Sequence, residues 1–196
     1  LINMRILKFA LTILLVILLQ SCNQPLQWNA SDISGVMPDL EFTLTGPDGT
    51  SVNASSLHGK PVVLFFGFTS CPDVCPTTLT RLSVLIKALG SQAKDLHVVF
   101  VSVDPDRDTY DVMKRYTASF GSWLLGLTGP EENLTRLREA YGVYAAMESS
   151  DSKGTYNVMH SAVVFAFDAD GRARLLISDL DDGDAIVADL KQLIDL

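Results

Sequence analysis

Cys71 and Cys75 stand four residues apart in the run FFGFTSCPDVCPTTL, between an apolar stretch and a stretch of helical periodicity. A close thiol pair can exchange between dithiol and disulfide, or it can hold a soft metal ion as two thiolates. Pro72, Asp73 and Val74 intervene, where the C-x-x-C redox motif places two residues. On a helical turn an i, i+4 pair shares one face. The wider loop can therefore close a disulfide, given suitable Cβ geometry, or leave both sulfurs open around one ion. The start of a helix favours a thiolate through its dipole and its unbonded N–H groups. The turn is expected to present both sulfurs outward on one side. A merely structural disulfide would add little, because the loop it closes is so short.

The third cysteine has a different setting. Met4-Arg5-Ile6-Leu7-Lys8 is a short basic region, Phe9 to Leu19 is almost wholly apolar, and Cys22 follows Ser21. A basic region, an apolar core and a small residue before the cut describe a secretory signal. A cysteine directly after that small residue reads as a bacterial lipoprotein signal, with diacylglycerol attached to Cys22. The apolar run is too short for the roughly 20 residues of a spanning helix. Residues 1–21 are thus read as the signal peptide, 22–36 as the lipidated N-terminus and a polar tether, and 37–196 as one domain. Every version of this leader places the domain outside the cytoplasm, at a membrane. The net charge of −8 becomes −10 once Arg5 and Lys8 are removed, which argues against a nucleic-acid partner.

Around the cysteines, periodicity defines the elements that must hold them. Glu41 to Leu44, a Gly46-Pro-Asp-Gly49 turn and Ser51-Val52 read as a hairpin. Val62 to Phe66 is continuously apolar, as in a strand covered on both faces. A helix follows through Leu79, Leu82, Leu85, Ile86 and Leu89 and stops at Gly90. Leu96 to Val103 is a second buried strand, and Thr109 to Phe120 can be a helix. Leu124 to Leu127 is a short extended piece. Thr128-Gly-Pro-Glu131 fits a capping box opening a helix that Gly142 closes. Ala162 to Phe167, a turn at Asp168–Gly171, Ala173 to Ile177 and a helix from Asp184 to Leu196 complete the chain. This order makes an α/β fold with a mixed central sheet flanked by helices, the thioredoxin-like arrangement, with an N-terminal β-hairpin and a helical insertion from about Thr109 to Val158.

Three histidines could extend the thiol site. His58 lies in a turn and reads as a surface residue; His97 opens a strand and reads as a strand-end or core residue. His160 comes just before the strand Ala162–Phe167, on the loop that in a thioredoxin-like fold approaches the cysteines. Thioredoxins usually carry a cis-proline there, whereas this chain has Met159-His160. Two thiolates and an imidazole suit copper and would also accept zinc.

At these residues the chain resembles the SCO/SenC family of copper-binding, thioredoxin-like proteins. The matching pieces are FGFTSCPDVCPTTL at 66–79, VSVDPDRDT at 101–109, LTGPEENLTRLREAYGV at 127–143 and YNVMHSAVVFAFDADG at 156–171. The resemblance spans nearly the whole domain. It implies one copper ion per chain, Cu(I) or Cu(II), held by Cys71, Cys75 and His160. Asp73 matches the acid between the cysteines, and Asp104 matches an acid near the site, so both are expected in its surroundings. Asp106 and Asp108 are expected as turn and helix-cap residues.

The implied role is a copper chaperone that delivers copper to, or matures, the CuA site of a cytochrome c oxidase subunit or another cuproprotein. Its other implied partners are a copper-donor chaperone, a thioredoxin-like reductant and the membrane that takes the lipid. The implied location is the bacterial cell envelope, with the domain facing the periplasm or extracytoplasmic space, on the inner or the outer membrane. Two further readings stand beside it: a membrane-tethered thiol-disulfide oxidoreductase that reduces a partner's cysteines, and a copper or redox sensor. On the first reading the protein is primarily a metallochaperone, with thiol-disulfide reductase activity of the Cys71–Cys75 couple as an addition.

Overall fold

The computed structural model describes residues 26–147, 158–160 and 163–196. Its ten strands are β1 (Ser31–Asp32), β2 (Thr43–Thr45), β3 (Ser51–Asn53), β4 (Val62–Gly67), β5 (His97–Ser102), β6 (Leu124–Leu127), β7 (Ala145–Met147), β8 (Val158–His160), β9 (Val164–Phe167) and β10 (Ala173–Ile177). Its α-helices are α1 (Val74–Leu89), α2 (Tyr110–Ala118), α3 (Glu131–Ala140) and α4 (Gly183–Ile194).

All six residues of β4 are buried, which is why its sequence shows no polar alternation. β4 lies inside a six-stranded sheet of order β1-β10-β9-β4-β5-β6. It pairs in parallel with β5, from Val62↔His97 to Gly67↔Ser102, and antiparallel with β9, from Val62↔Phe167 to Phe65↔Val164. Helix α1 makes the crossover from β4 to β5 and packs on α4; α2 lies against β6. Leu79, Leu82, Leu85, Ile86 and Leu89 are the buried stripe of α1, as their spacing requires. Gly90 ends that helix at φ +59°, a conformation most side chains resist. The hairpin β2–β3 forms a separate two-stranded sheet, as does β7–β8.

The mixed sheet, the flanking helices and the hairpin agree with the sequence reading, and four details differ. Leu124–Leu127 is a full edge strand, paired in parallel with β5 over Val98–Val101, so the region read as a helical insertion contributes to the main sheet. The capping box at Thr128 does not form. Thr128 instead exchanges backbone hydrogen bonds with Thr45, which holds it extended, and α3 begins after Pro130. Glu131, the acid of that box, accepts from Arg138 at 2.8 Å.

The third difference is at the front of the domain. The stretch read as a tether through residue 36 joins the fold by Asn29: Ser31 and Asp32 pair with β10. The buried Asp189 carboxylate of α4 accepts from the backbone N–H groups of Asn29 and Ala30 and from Asn29 Nδ2, at 2.8–3.0 Å. Residues 1–25, including the leader and Cys22, lie outside the described residues. No helix among the described residues is long and apolar enough to cross a membrane. The fourth concerns Asp108, which belongs to the site.

Candidate metal centre

The strand β4 ends at Gly67, and four residues later the chain reaches Cys71 with its N–H bonded to the Phe68 carbonyl at 3.2 Å. This tight turn delivers Cys75 as the second residue of α1, followed by Pro76, whose missing N–H costs nothing in a first turn. The Cys75 backbone N–H points at Cys71 Sγ, 3.4 Å away. The early helical donor that the sequence assigned to a thiolate is thus aimed at Cys71. Both residues are thiols, not a disulfide.

The two sulfurs do not both face outward, as the spacing had led us to expect. Cys71 is half-buried, whereas Cys75 is 0% exposed. The cause is the i, i+4 register: Cys75 is continuous with the Leu79–Leu82 stripe that α1 turns toward the sheet. Burial pushes the Cys75 thiol well above the ordinary cysteine range, while the Phe68 N–H pulls it back. Hydrogen-bonding contact with Cys71, and the negative charges of Cys71 and Asp108, push it up further. Gly67 forms the floor. A Cβ there would lie 2.7 Å from Cys75 Sγ and 2.6 Å from the Phe100 ring, so only glycine leaves room for the sulfur.

The carboxylates around the pair have different settings. Asp73 is exposed, and its carboxylate accepts from the Thr77 hydroxyl at 3.5 Å. Asp104 is buried and ion-paired to Arg107 Nε. The Arg107 guanidinium in turn lies 5.5 Å over the Phe68 ring, so Asp104 bears on the thiol loop through Arg107 and Phe68. Asp108 is not a helix cap. Thr109 fills that role, accepting from the Val112 N–H. The Asp108 carboxylate is instead fully buried. It accepts from the Thr69 hydroxyl at 2.6 Å, from the Thr69 N–H and from the Ser102 hydroxyl at 2.7 Å. It therefore ties the cysteine loop to the end of β5. Burial raises its pKa, and the hydrogen bonds from Thr69 and Ser102 oppose that rise. The signal available in the sequence was Thr69 and Ser102, two hydroxyl residues flanking apolar strands.

The histidines separate cleanly. His58 is exposed, and His97 is a half-buried strand start whose pKa burial and Lys60 lower. His160 stands in β8, where its backbone pairs with Ala145; its side chain lies outside the described residues. β9 runs antiparallel to β4, so its N-terminal end, Val164, lies toward the end of β4 that leads to Cys71. His160 precedes Val164 by four residues, a reach of about 14 Å in extended chain. The β7–β8 hairpin also borders the acidic turn. Ala145, Ala146 and Val158 line a cavity of about 240 Å³ together with Asp104, Asp106 and Arg138. Among the described residues no group of three or more His, Cys, Asp or Glu forms a complete metal site.

The arrangement is chemically asymmetric. One accessible sulfur faces a helix N–H, and one buried sulfur is held in a glycine-floored niche. A soft ion bound at Cys71 would draw Cys75 into the bond as a second thiolate, and the pair could equally close to a disulfide.

Known proteins share this frame. The chain is 35% identical over 133 residues to an SCO2-like protein of Rickettsia felis, covering 67% of this chain and 65% of that protein, so it spans somewhat less than two thirds of that relative's length. The solved structure of Bradyrhizobium japonicum ScoI with copper bound is 38% identical and superposes with a TM-score of 0.73, covering 79% of this chain and 98% of that one. The Arabidopsis thaliana ScoI structure with copper bound gives 32% identity and a TM-score of 0.74, over 80% and 98% of the two chains. With residues 36–195 matched by the profile described as SCO1/SenC, the chain belongs to the SCO1/SenC family.

Proposed function

We propose that this protein is a copper chaperone, with one copper ion as its cargo, bound by Cys71, Cys75 and His160. The observation that carries the reading is the contact of two thiols at the start of α1, one of them reachable from solvent and receiving a backbone N–H at 3.4 Å. Two thiolates select Cu(I) over harder ions, and an imidazole is compatible with both copper oxidation states. The relatives solved with copper bound support the same assignment. Copper leaves by ligand exchange. An incoming thiol or thioether of the acceptor attacks at the accessible Cys71 side, and the β7–β8 hairpin carries His160 toward or away from the pair. The acceptor is the CuA-bearing subunit of cytochrome c oxidase or another cuproprotein. The protein acts from the bacterial envelope, anchored through a lipid on Cys22 with its domain outside the cytoplasm, and takes its copper from a donor chaperone.

The buried position of Cys75 also favours a second reading, thiol-disulfide exchange. Cys71 attacks a partner disulfide and Cys75 resolves the mixed disulfide, after which a thioredoxin-like reductant restores the pair. Both roles use one couple, since oxidation to the disulfide removes the ligands.

Anaerobic Cu(I) competition titration of the reduced protein tests the proposal. One tight copper per chain is expected, with large losses of affinity in Cys71→Ser, Cys75→Ser and His160→Ala. Weak binding in the unaltered protein, with metal-independent turnover of a mixed disulfide that His160→Ala leaves intact, would replace the chaperone with the oxidoreductase.

A further inference from the structure

Tyr116 on α2 has a buried hydroxyl with no hydrogen-bond partner among the described residues. Its ring packs against Phe100 at 5.6 Å and Phe120 at 5.3 Å between centroids. Phe100 is also the ring that, with Cys75 Sγ, closes around the missing Cβ of Gly67. Tyr116, Phe100 and the Cys75 sulfur are thus consecutive members of one packed cluster. Burial above all holds the Tyr116 phenol in its neutral, proton-bearing form, and a negative charge on Cys75, Cys71 or Asp108 adds to this.

An orphaned buried hydroxyl is costly, and phenylalanine would fill the same space without that cost. The oxygen therefore makes sense in a state where it finds an acceptor. In the dithiol the Cys75 sulfur is an uncharged, weak acceptor, already served by the Phe68 N–H and in contact with Cys71. Once that sulfur becomes a thiolate ligand, it is a strong acceptor in a buried site. The neutral phenol is then the right donor, because a hydrogen bond to a charged group is about twice as strong as a neutral one.

We propose that Tyr116 is a positioning residue for the metal site, donating its hydroxyl to the Cys75 sulfur when that sulfur is a thiolate bound to a soft metal ion. The inference rests on the copper reading of the Cys71–Cys75 pair. It makes Tyr116 a group that weakens the metal-free protein and strengthens the loaded one. No bond is made or broken by Tyr116, and its proton stays on oxygen throughout.

Tyr116→Phe removes only that oxygen. In anaerobic Cu(I) competition titrations the variant should bind about tenfold or more weakly, the scale of one hydrogen bond to a charged group. The metal-free variant should unfold at the same or a higher denaturant concentration than the unaltered protein. The thiolate-to-Cu(II) charge-transfer band should move to lower energy, because the sulfur loses a donor. Tyr141→Phe is the control. That hydroxyl donates to the Asp39 carbonyl at 3.0 Å, away from the cysteines, and its loss should change stability without moving the band. Unchanged Cu(I) affinity and an unmoved band in Tyr116→Phe would overturn the inference alone. So would a stability loss with the metal properties intact, which is the result of a purely structural tyrosine. An unaltered protein that binds no Cu(I) would overturn the copper reading and this inference together.

Discussion

Substituting Gly67 by alanine should damage the metal site through a single methyl group. Gly67 has an ordinary negative-φ backbone, so alanine adds no backbone strain there and the effect is one of contact. The new Cβ would lie 2.7 Å from Cys75 Sγ, 2.6 Å from Phe100 Cε2 and 3.1 Å from Phe100 Cζ. Non-bonded carbon contacts are comfortable near 3.5–4.0 Å, so the neighbours must retreat by about 1 Å. Phe100 is fully buried and braced by Phe65 at 5.8 Å and Tyr116 at 5.6 Å between ring centroids. The sulfur, on one rotatable bond, gives way first. Overpacking of this kind costs about 1–3 kcal/mol of stability. Metal–ligand distances hold to within about 0.2 Å, so the displaced sulfur should also lower copper affinity. The scale is about 10–100-fold, as for other groups that support metal ligands. Gly126→Ala supplies the comparison, since its Cβ would meet Thr117 Cγ2 at 2.8 Å and Met113 Cβ at 3.4 Å without touching a cysteine. Urea denaturation should show similar losses in both variants, and Cu(I) competition should show a loss in Gly67→Ala only. Equal copper affinity in Gly67→Ala and the unaltered protein, or an equal loss in Gly126→Ala, would refute the reasoning.

Three other outcomes follow from the same geometry. In the native reduced protein, iodoacetamide should label Cys71 at least about 100-fold faster than Cys75, because burial keeps Cys75 both protonated and out of reach; peptide mass mapping over time checks this, and equal rates would contradict it. Asp108 has a folded-state pKa above its unfolded value, so its contribution to stability is fully present below about pH 3.9 and is lost as pH rises through the folded pKa. The stability gap between the unaltered protein and Asp108→Asn should therefore shrink between acid and neutral pH in denaturation curves, and a gap that widens would reverse the sign. Asp189→Ala strands the Asn29 and Ala30 N–H groups and should cost about 2–4 kcal/mol, with hydrogen-exchange protection lost first at β1; intact protection there would contradict the latch.

Much of the frame was legible because its signals are local. β4 and α1 are continuous apolar and 3.6-period runs, and the turn glycines Gly49 and Gly171 adopt the positive φ their motifs imply. What escaped was set by partners distant in sequence. Thr128 has a capping residue's chemistry, but its backbone is taken by Thr45 of the hairpin, which no local pattern announces. The 29–33 segment is polar and aperiodic, and docks only because Asp189 waits on the last helix. The same holds at the site. The cysteine spacing located the pair, yet not which sulfur would be buried, because that depends on the face α1 turns toward the sheet. Asp108 reads as one more acid in VDPDRDT until the fold brings Thr69 and Ser102 to it.

Copper K-edge X-ray absorption of the Cu(I)-loaded protein tests the central claim most directly. The account predicts two sulfur scatterers and one imidazole nitrogen per copper, with the imidazole contribution gone in His160→Ala and one sulfur gone in Cys75→Ser. An imidazole contribution that survives His160→Ala, or a copper environment indifferent to Cys75→Ser, would contradict it.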